Sequence, residues 1–140
     1  MAVASAIAWG PLGVLFEREV GLWQNAIARR LQAFDFQVLG WSRSPKDFAG
    51  VKSFAGPGQL PAFLAQCDIL VCVLPLTDET RGILNAALFA QLPKGAHVIN
   101  VARGEHLVET DLLAALDSGQ LESAVLDVFG VEPLPPDSPI

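Results

Sequence analysis

Charge is scarce in this sequence. Only 17% of its 140 residues are charged, and 9 basic residues stand against 15 acidic ones, a formal net charge of −6. So few cations speak against nucleic acid as a partner, because phosphate backbones are bound by basic patches. Cysteine is nearly absent. Cys67 and Cys72 match no metal-ligand spacing and are too few for a disulfide framework. No metal site is expected, and both thiols read as reduced and buried. Long apolar runs are missing too. None reaches the roughly 18 residues that a membrane-spanning helix needs. The apolar residues 1–7 have no basic stretch before them and are soon followed by Pro11 and Gly13, which argues against a signal peptide. The expectation is a cytoplasmic protein without a membrane partner.

What the sequence does have is apolar content, 51% of residues. Fully buried parallel strands read as continuous apolar runs and account for much of it. Surface that meets another domain or a second subunit would add to it, so a homodimer is one expected assembly. The length suits one domain with its own core.

Helical and strand patterns alternate along the chain. Residues 17–34 read as a helix with Ile27, Leu31 and Phe34 on one face, and residues 36–41 (FQVLGW) as a strand. Residues 42–58 are loop-like, with Pro45, Gly50, Gly56, Pro57 and Gly58. A short helix at 60–66 leads into a buried strand at 68–74 (DILVCVL), stopped by Pro75. A helix at 85–91, a strand at 96–101 (AHVINV), a helix at 109–118 and a strand at 123–128 (SAVLDV) complete the series. Gly119 has the position of a left-handed helix cap, and the tail from Glu132 is proline-rich. This alternation predicts a doubly wound α/β domain, Rossmann-like, with a parallel sheet and right-handed crossovers. Ligands of such sheets bind at the carboxyl ends of the strands. The residues that follow each strand are therefore the candidate site.

After the first clear strand come Ser42, Arg43 and Ser44. In a dinucleotide fold this corner meets the adenosine ribose. An arginine among small hydroxyl residues suits the 2′-phosphate of NADP, whereas a carboxylate would suit the 2′-hydroxyl of NAD. No carboxylate appears before Asp47. The plainer reading is a solvated loop arginine. Pro75 and Thr80 follow the next strand. Thr80 is placed either to offer its hydroxyl to a phosphate or to cap the next helix. After AHVINV comes Arg103. A guanidinium there can grip a carboxylate with two hydrogen bonds and polarise a carbonyl gaining negative charge, or form an ordinary rim salt bridge. Asp127 and Glu132 follow the last strand. Asp127 is placed to accept from an amide and Glu132 to hold an imidazole in its charged form. The alternative for both is ordinary turn acids.

Three stretches together resemble one family. LPLTDETRGILN (74–85), NVARGEHLVETDLLAALDSGQLESAVLDVFGVEPLP (100–135) and WSRS (41–44) are similar to the D-isomer-specific 2-hydroxyacid dehydrogenases, nearest their glyoxylate/hydroxypyruvate reductase A branch. The resemblance spans about residues 26–140 and implies an NAD(P)-binding domain. It implies hydride transfer from NADPH, with NADH as the alternative, to a small 2-keto acid. By position, Arg103 is the implied catalytic arginine and Glu132 the implied partner of the catalytic histidine. Asp127 is implied at the nicotinamide carboxamide, and Val101 and Ala102 beside the nicotinamide. Leu74 and Pro75 are implied at the adenine and ribose, and Ser42 and Arg43 at the 2′-phosphate.

The resemblance is partial. The family's catalytic histidine belongs to a T-P-H-type segment that these residues do not include. His97 reads as packed within a strand, and His106 as exposed. General acid catalysis contributes about 10²–10⁴-fold in enzymes, so a non-catalytic Rossmann-like remnant is the alternative expectation. The whole chain reads as one incomplete domain without the substrate domain, and residues 1–25 are atypical. A G-x-G-x-x-G loop normally joins the first strand to the first helix and cradles the pyrophosphate. Two placements fit imperfectly. In the favoured one, residues 5–10 are the strand and Gly10 and Gly13 belong to the loop. In the other, residues 19–23 (EVGLW) are the strand, and almost the whole loop is deleted.

Overall fold

A computed structural model describes residues 10–15, 26, 29–47 and 49–140. Among the described residues six strands form one parallel sheet: β1 (Leu12–Leu15), β2 (Val38–Ser42), β3 (Lys52–Ala55), β4 (Ile69–Cys72), β5 (Ala96–Asn100) and β6 (Leu121–Leu126). Their order in space is β3-β2-β1-β4-β5-β6. The order reverses between β1 and β4, which is the switch point of a doubly wound sheet. The predicted fold class is the observed one.

Three helices lie among the later strands: α1 (Leu60–Leu64), α2 (Ala86–Phe89) and α3 (Glu109–Asp117). Phe63 and Leu64 of α1, Leu88 and Phe89 of α2, and Leu112 and Ala115 of α3 pack with Leu15, Leu39, Leu70, Cys72 and Val98 in the larger core. The alternate residues Leu12, Val14, Val38 and Ile69 form a second cluster, against which Leu31 and Phe36 pack. This division is the period-2 signature of strands buried on both faces. Asn85 caps α2, its Oδ1 accepting from the Leu88 amide at 3.0 Å. Gly119 follows the end of α3 at φ 70°, as its position predicts.

Several expectations change. Residues 42–58 contain the edge strand β3, which four residues with two exposed positions do not announce as an apolar run. Of the predicted first helix, residues 26 and 29–32 are helical, and residues 17–25 and 27–28, Ile27 included, lie outside the described residues. Phe34 is 77% exposed and does not join the core face. The last strand begins two residues earlier than its apolar run, at Leu121.

The largest correction concerns β1. Gly13, expected in a phosphate-binding loop, is inside the strand, and Gly10 precedes the strand at the amino edge of the sheet. Gly13 is there for packing. A Cβ on it would lie 2.1 Å from Cys67 Sγ and 2.9 Å from Phe63 Cζ. Leu12-Gly13-Val14-Leu15 has the same apolar-Gly-apolar-apolar pattern as the EVGLW segment read as the alternative strand. That segment, and the residues that follow Leu15, lie outside the described residues.

Candidate functional site

The parallel register places the ends of all the strands on one edge. Arg43 follows β2, Leu74 and Pro75 follow β4, Val101 to Arg103 follow β5, and Asp127 follows β6. Gly10 is at the opposite edge, where the Pro11 carbonyl accepts from the Asp68 amide at 2.9 Å. Neither Gly10 nor Gly13 is placed to cradle a phosphate beyond the carboxyl end of β1.

Two clefts open at the carboxyl edge. One, of about 680 Å³, is lined by Val73, Leu74, Pro75, Leu76, Val101, Ala102 and Arg103. Its walls are the loops after β4 and β5, adjoining the switch point. The other, of about 420 Å³, lies between the Arg103–Glu105 turn and the segment of Val128, Phe129, Gly130 and Glu132. Arg103 lines both. Its side chain is exposed at the rim and Nη1 donates to the Ala102 carbonyl at 2.7 Å. Glu132 Oε1 accepts from the Phe129 amide at 2.9 Å, which closes the turn that carries it. Asp127 is exposed and its backbone amide bonds the Asn100 carbonyl at 3.0 Å, which ties the end of β6 to the end of β5.

The Arg103 turn is held from beneath by two buried polar residues, one of them not singled out from the sequence and the other expected at the surface. Asn100 is fully buried. Its Nδ2 donates to the Arg103 carbonyl at 2.9 Å and its Oδ1 accepts from the Ala102 amide at 3.1 Å. His106, expected at the surface, is also fully buried. Nδ1 is 3.1 Å from the Arg103 carbonyl, and Nε2 is 3.3 Å from the Pro75 carbonyl. It bridges the turns after β5 and β4, the two walls of the larger cleft. The signal for Asn100 was a polar residue at the carboxyl end of a mainly apolar strand. His106 had no local signal, because the turn of Gly104–His106 is what rotates it inward. His97 is half-buried, as expected, with Nδ1 2.7 Å from Ser123 Oγ.

At the β2 corner the three residues take different parts. Ser42 is buried at the end of the strand and its hydroxyl donates to the Ser44 carbonyl at 2.6 Å. It shapes the corner from within. Ser44 and Arg43 are exposed, and the Arg43 guanidinium forms an ion pair with Glu79. Thr80, expected to offer a hydroxyl to a phosphate, is buried and committed to its own turn. It donates to the Pro75 carbonyl at 2.7 Å and accepts from the Thr77 amide at 2.8 Å. It does not cap the next helix either, since that cap is Asn85.

Cys67 and Cys72 are free and buried. Burial pushes the Cys67 thiol up to about 12, with Asp68 adding to it, and burial pushes Cys72 up to about 11 against a hydrogen bond from the Leu74 backbone. Neither is the poised thiolate of a nucleophile. No group of three or more His, Cys, Asp or Glu side chains with metal-ligand geometry occurs among the described residues. No helix among them is long and apolar enough to cross a membrane.

A six-stranded parallel sheet in the order 3-2-1-4-5-6, with clefts at its carboxyl edge, defines a dinucleotide-binding type of domain. The chain belongs to the D-isomer-specific 2-hydroxyacid dehydrogenase family, whose NAD-binding domain matches residues 20–140. Similar solved structures agree. A D-isomer-specific 2-hydroxyacid dehydrogenase family protein from Klebsiella pneumoniae 342 is 50% identical with a TM-score of 0.85, over 91% of this chain and 41% of that one. One from Xanthobacter autotrophicus Py2, in complex with NADPH and MES, is 50% identical with a TM-score of 0.83, over 91% and 52%. An NADPH-dependent glyoxylate/hydroxypyruvate reductase from Sinorhizobium meliloti, in complex with NADP and sulfate, is 47% identical with a TM-score of 0.81, over 91% and 42%. The chain thus spans about two-fifths of the length of the first of these.

Proposed function

We propose that this chain is the NADP(H)-binding part of a reductase of small 2-keto acids such as glyoxylate and hydroxypyruvate. The observation that carries the proposal is the position of Arg103 on the rim shared by the two clefts. In the larger cleft, the apolar residues Leu74, Pro75, Val101 and Ala102 alternate with polar groups, a mixed lining suited to adenine and nicotinamide rings. Arg43, at the end of β2, supplies the cation that a 2′-phosphate calls for. These residues fit NADPH, and the Xanthobacter and Sinorhizobium relatives were crystallised with NADPH and NADP.

NADPH, when bound, supplies the hydride. Arg103 grips the substrate carboxylate and polarises the keto oxygen as negative charge develops on it. Asn100 and His106 hold that arginine's backbone in place. In this reading Glu132, which lines the smaller cleft with Arg103, orients a proton-donating imidazole, and Asp127, after β6, accepts from the carboxamide.

A second reading, a non-catalytic Rossmann-like module with weak or no nucleotide binding, is favoured by the partners of the two imidazoles among the described residues. His97 bonds Ser123 and His106 is buried beneath the Arg103 turn. Fluorescence titration of the chain with NADPH, followed by an assay of glyoxylate-dependent NADPH oxidation, separates the readings. Saturable binding is expected. Turnover overturns the second reading, and absence of saturable binding overturns the first.

A further inference from the structure

At the ribose corner, sequence reading found an arginine and no carboxylate. The structure brings in a carboxylate from a different loop. Glu79 belongs to the turn after β4, and it pairs with Arg43, which follows β2. These strands flank β1, so the pair reaches across the carboxyl end of the strand between them. Both side chains are accessible, at 46% for Arg43 and 69% for Glu79. The turn beneath Glu79 is closed by the Thr80 hydroxyl, which accepts from the Thr77 amide and donates to the Pro75 carbonyl. The carboxylate is therefore delivered by a built turn.

We propose that Glu79 is a specificity-determining residue that opposes Arg43 in the choice between the two nicotinamide cofactors; this rests on the NADP(H) reading of the β2 corner. A 2′-phosphate that approaches Arg43 meets the Glu79 carboxylate already on the guanidinium. It must displace that carboxylate or share the arginine with it, against like-charge repulsion. A 2′-hydroxyl meets no such repulsion, and the same carboxylate is an acceptor for its proton. Arg43 alone would favour NADP strongly. The pair narrows that preference and keeps NAD within reach.

The pair is exposed, so its effect is modest. Exposed ion pairs contribute little, and the repulsion of a doubly charged phosphate adds to that. Glu79→Gln is expected to tighten 2′,5′-ADP about three- to tenfold and to leave 5′-ADP unchanged or slightly weaker. Glu79 is a surface residue, so the variant retains the fold. The experiment is calorimetric titration of the wild-type chain, Glu79→Gln, Arg43→Ala and the double variant with 2′,5′-ADP and with 5′-ADP, at low salt.

The expected result is a rise of at least about threefold in the 2′,5′-ADP to 5′-ADP preference in Glu79→Gln, absent in the Arg43→Ala background. An unchanged preference in Glu79→Gln, with the wild type still binding 2′,5′-ADP, overturns the role of Glu79 alone. An equal gain with and without Arg43 also overturns it, because the carboxylate then acts independently of the arginine. Wild type that binds neither nucleotide overturns the NADP(H) reading and this inference with it.

Discussion

Gly104 packs against Phe129 so closely that a Cβ on it would lie 1.9 Å from the Phe129 carbonyl carbon and 2.1 Å from its oxygen. This contact is backbone against backbone, and it joins the turn that carries Arg103 to the segment that carries Glu132. No rotamer change relieves a methyl group placed there. Gly104→Ala must push residues 128–132 away, separating the walls of the smaller cleft. We expect a loss of about 1–3 kcal/mol in urea unfolding and faster amide hydrogen exchange in residues 128–132. Unchanged exchange there would show that the two turns are not coupled.

Asn100 tests the support of Arg103. It is fully buried and satisfies one donor and one acceptor of the Ala102–Arg103 backbone. Asn100→Ala leaves both backbone groups without that partner, at a cost of about 2–4 kcal/mol for two buried hydrogen bonds. Urea unfolding of the variant measures this directly. Asn100→Asp keeps the acceptor but loses the amide donor to the Arg103 carbonyl, and a loss at least as large is expected.

Arg103 itself is exposed, so its removal separates binding from folding. Arg103→Ala is expected to unfold within about 0.5 kcal/mol of the wild type. Binding of a small 2-keto carboxylate to the NADPH complex, measured by calorimetry, should weaken by about tenfold or more, the scale of a lost charge-assisted hydrogen bond. Arg103→Lys should recover little of it, because an ammonium cannot make the paired contact.

The buried thiols give the chain a stability that depends on pH. Cys67 and Cys72 titrate at about 12 and about 11 in the fold, above the usual 9.0. The folded chain thus holds their protons more tightly than the unfolded one. The stability this provides is fully present below pH 9.0 and is lost as pH rises through 11 and 12. Each thiol contributes a slope of at most about 1.4 kcal/mol per pH unit in that window. Urea unfolding of the wild type and Cys72→Ala across pH 8–11 (roughly the accessible part of that window) checks the sign. The variant should fall less steeply.

Much of the fold was legible because buried parallel strands are apolar runs. DILVCVL and AHVINV each contain their strand, and Pro75 and Gly119 mark real boundaries. The elements that escaped have weak local signals. β3 is a four-residue edge strand with lysine and serine outward, and β1 is a glycine-containing run preceded by another glycine and a proline. Glycine at position 13 has a packing reason, close approach of Cys67, that looks the same in sequence as a turn. At the site, the residues after each strand were legible because topology alone brings them together. Glu79 and His106 were not. Each reaches its partner across a long stretch of chain, and no spacing rule relates position 43 to 79 or 75 to 106.

The most direct test is a map of amide chemical shifts as NADPH is added to the isotope-labelled chain. Saturable changes should cluster at Arg43, Ser44, Leu74, Val101, Ala102 and Arg103, around the larger cleft and the β2 corner. Gln120 and the amino-edge residues Gly10 and Asp68 should stay unchanged. Saturable shifts confined to the amino edge, or none at all, would contradict the placement of the cofactor at the carboxyl ends of β2, β4 and β5.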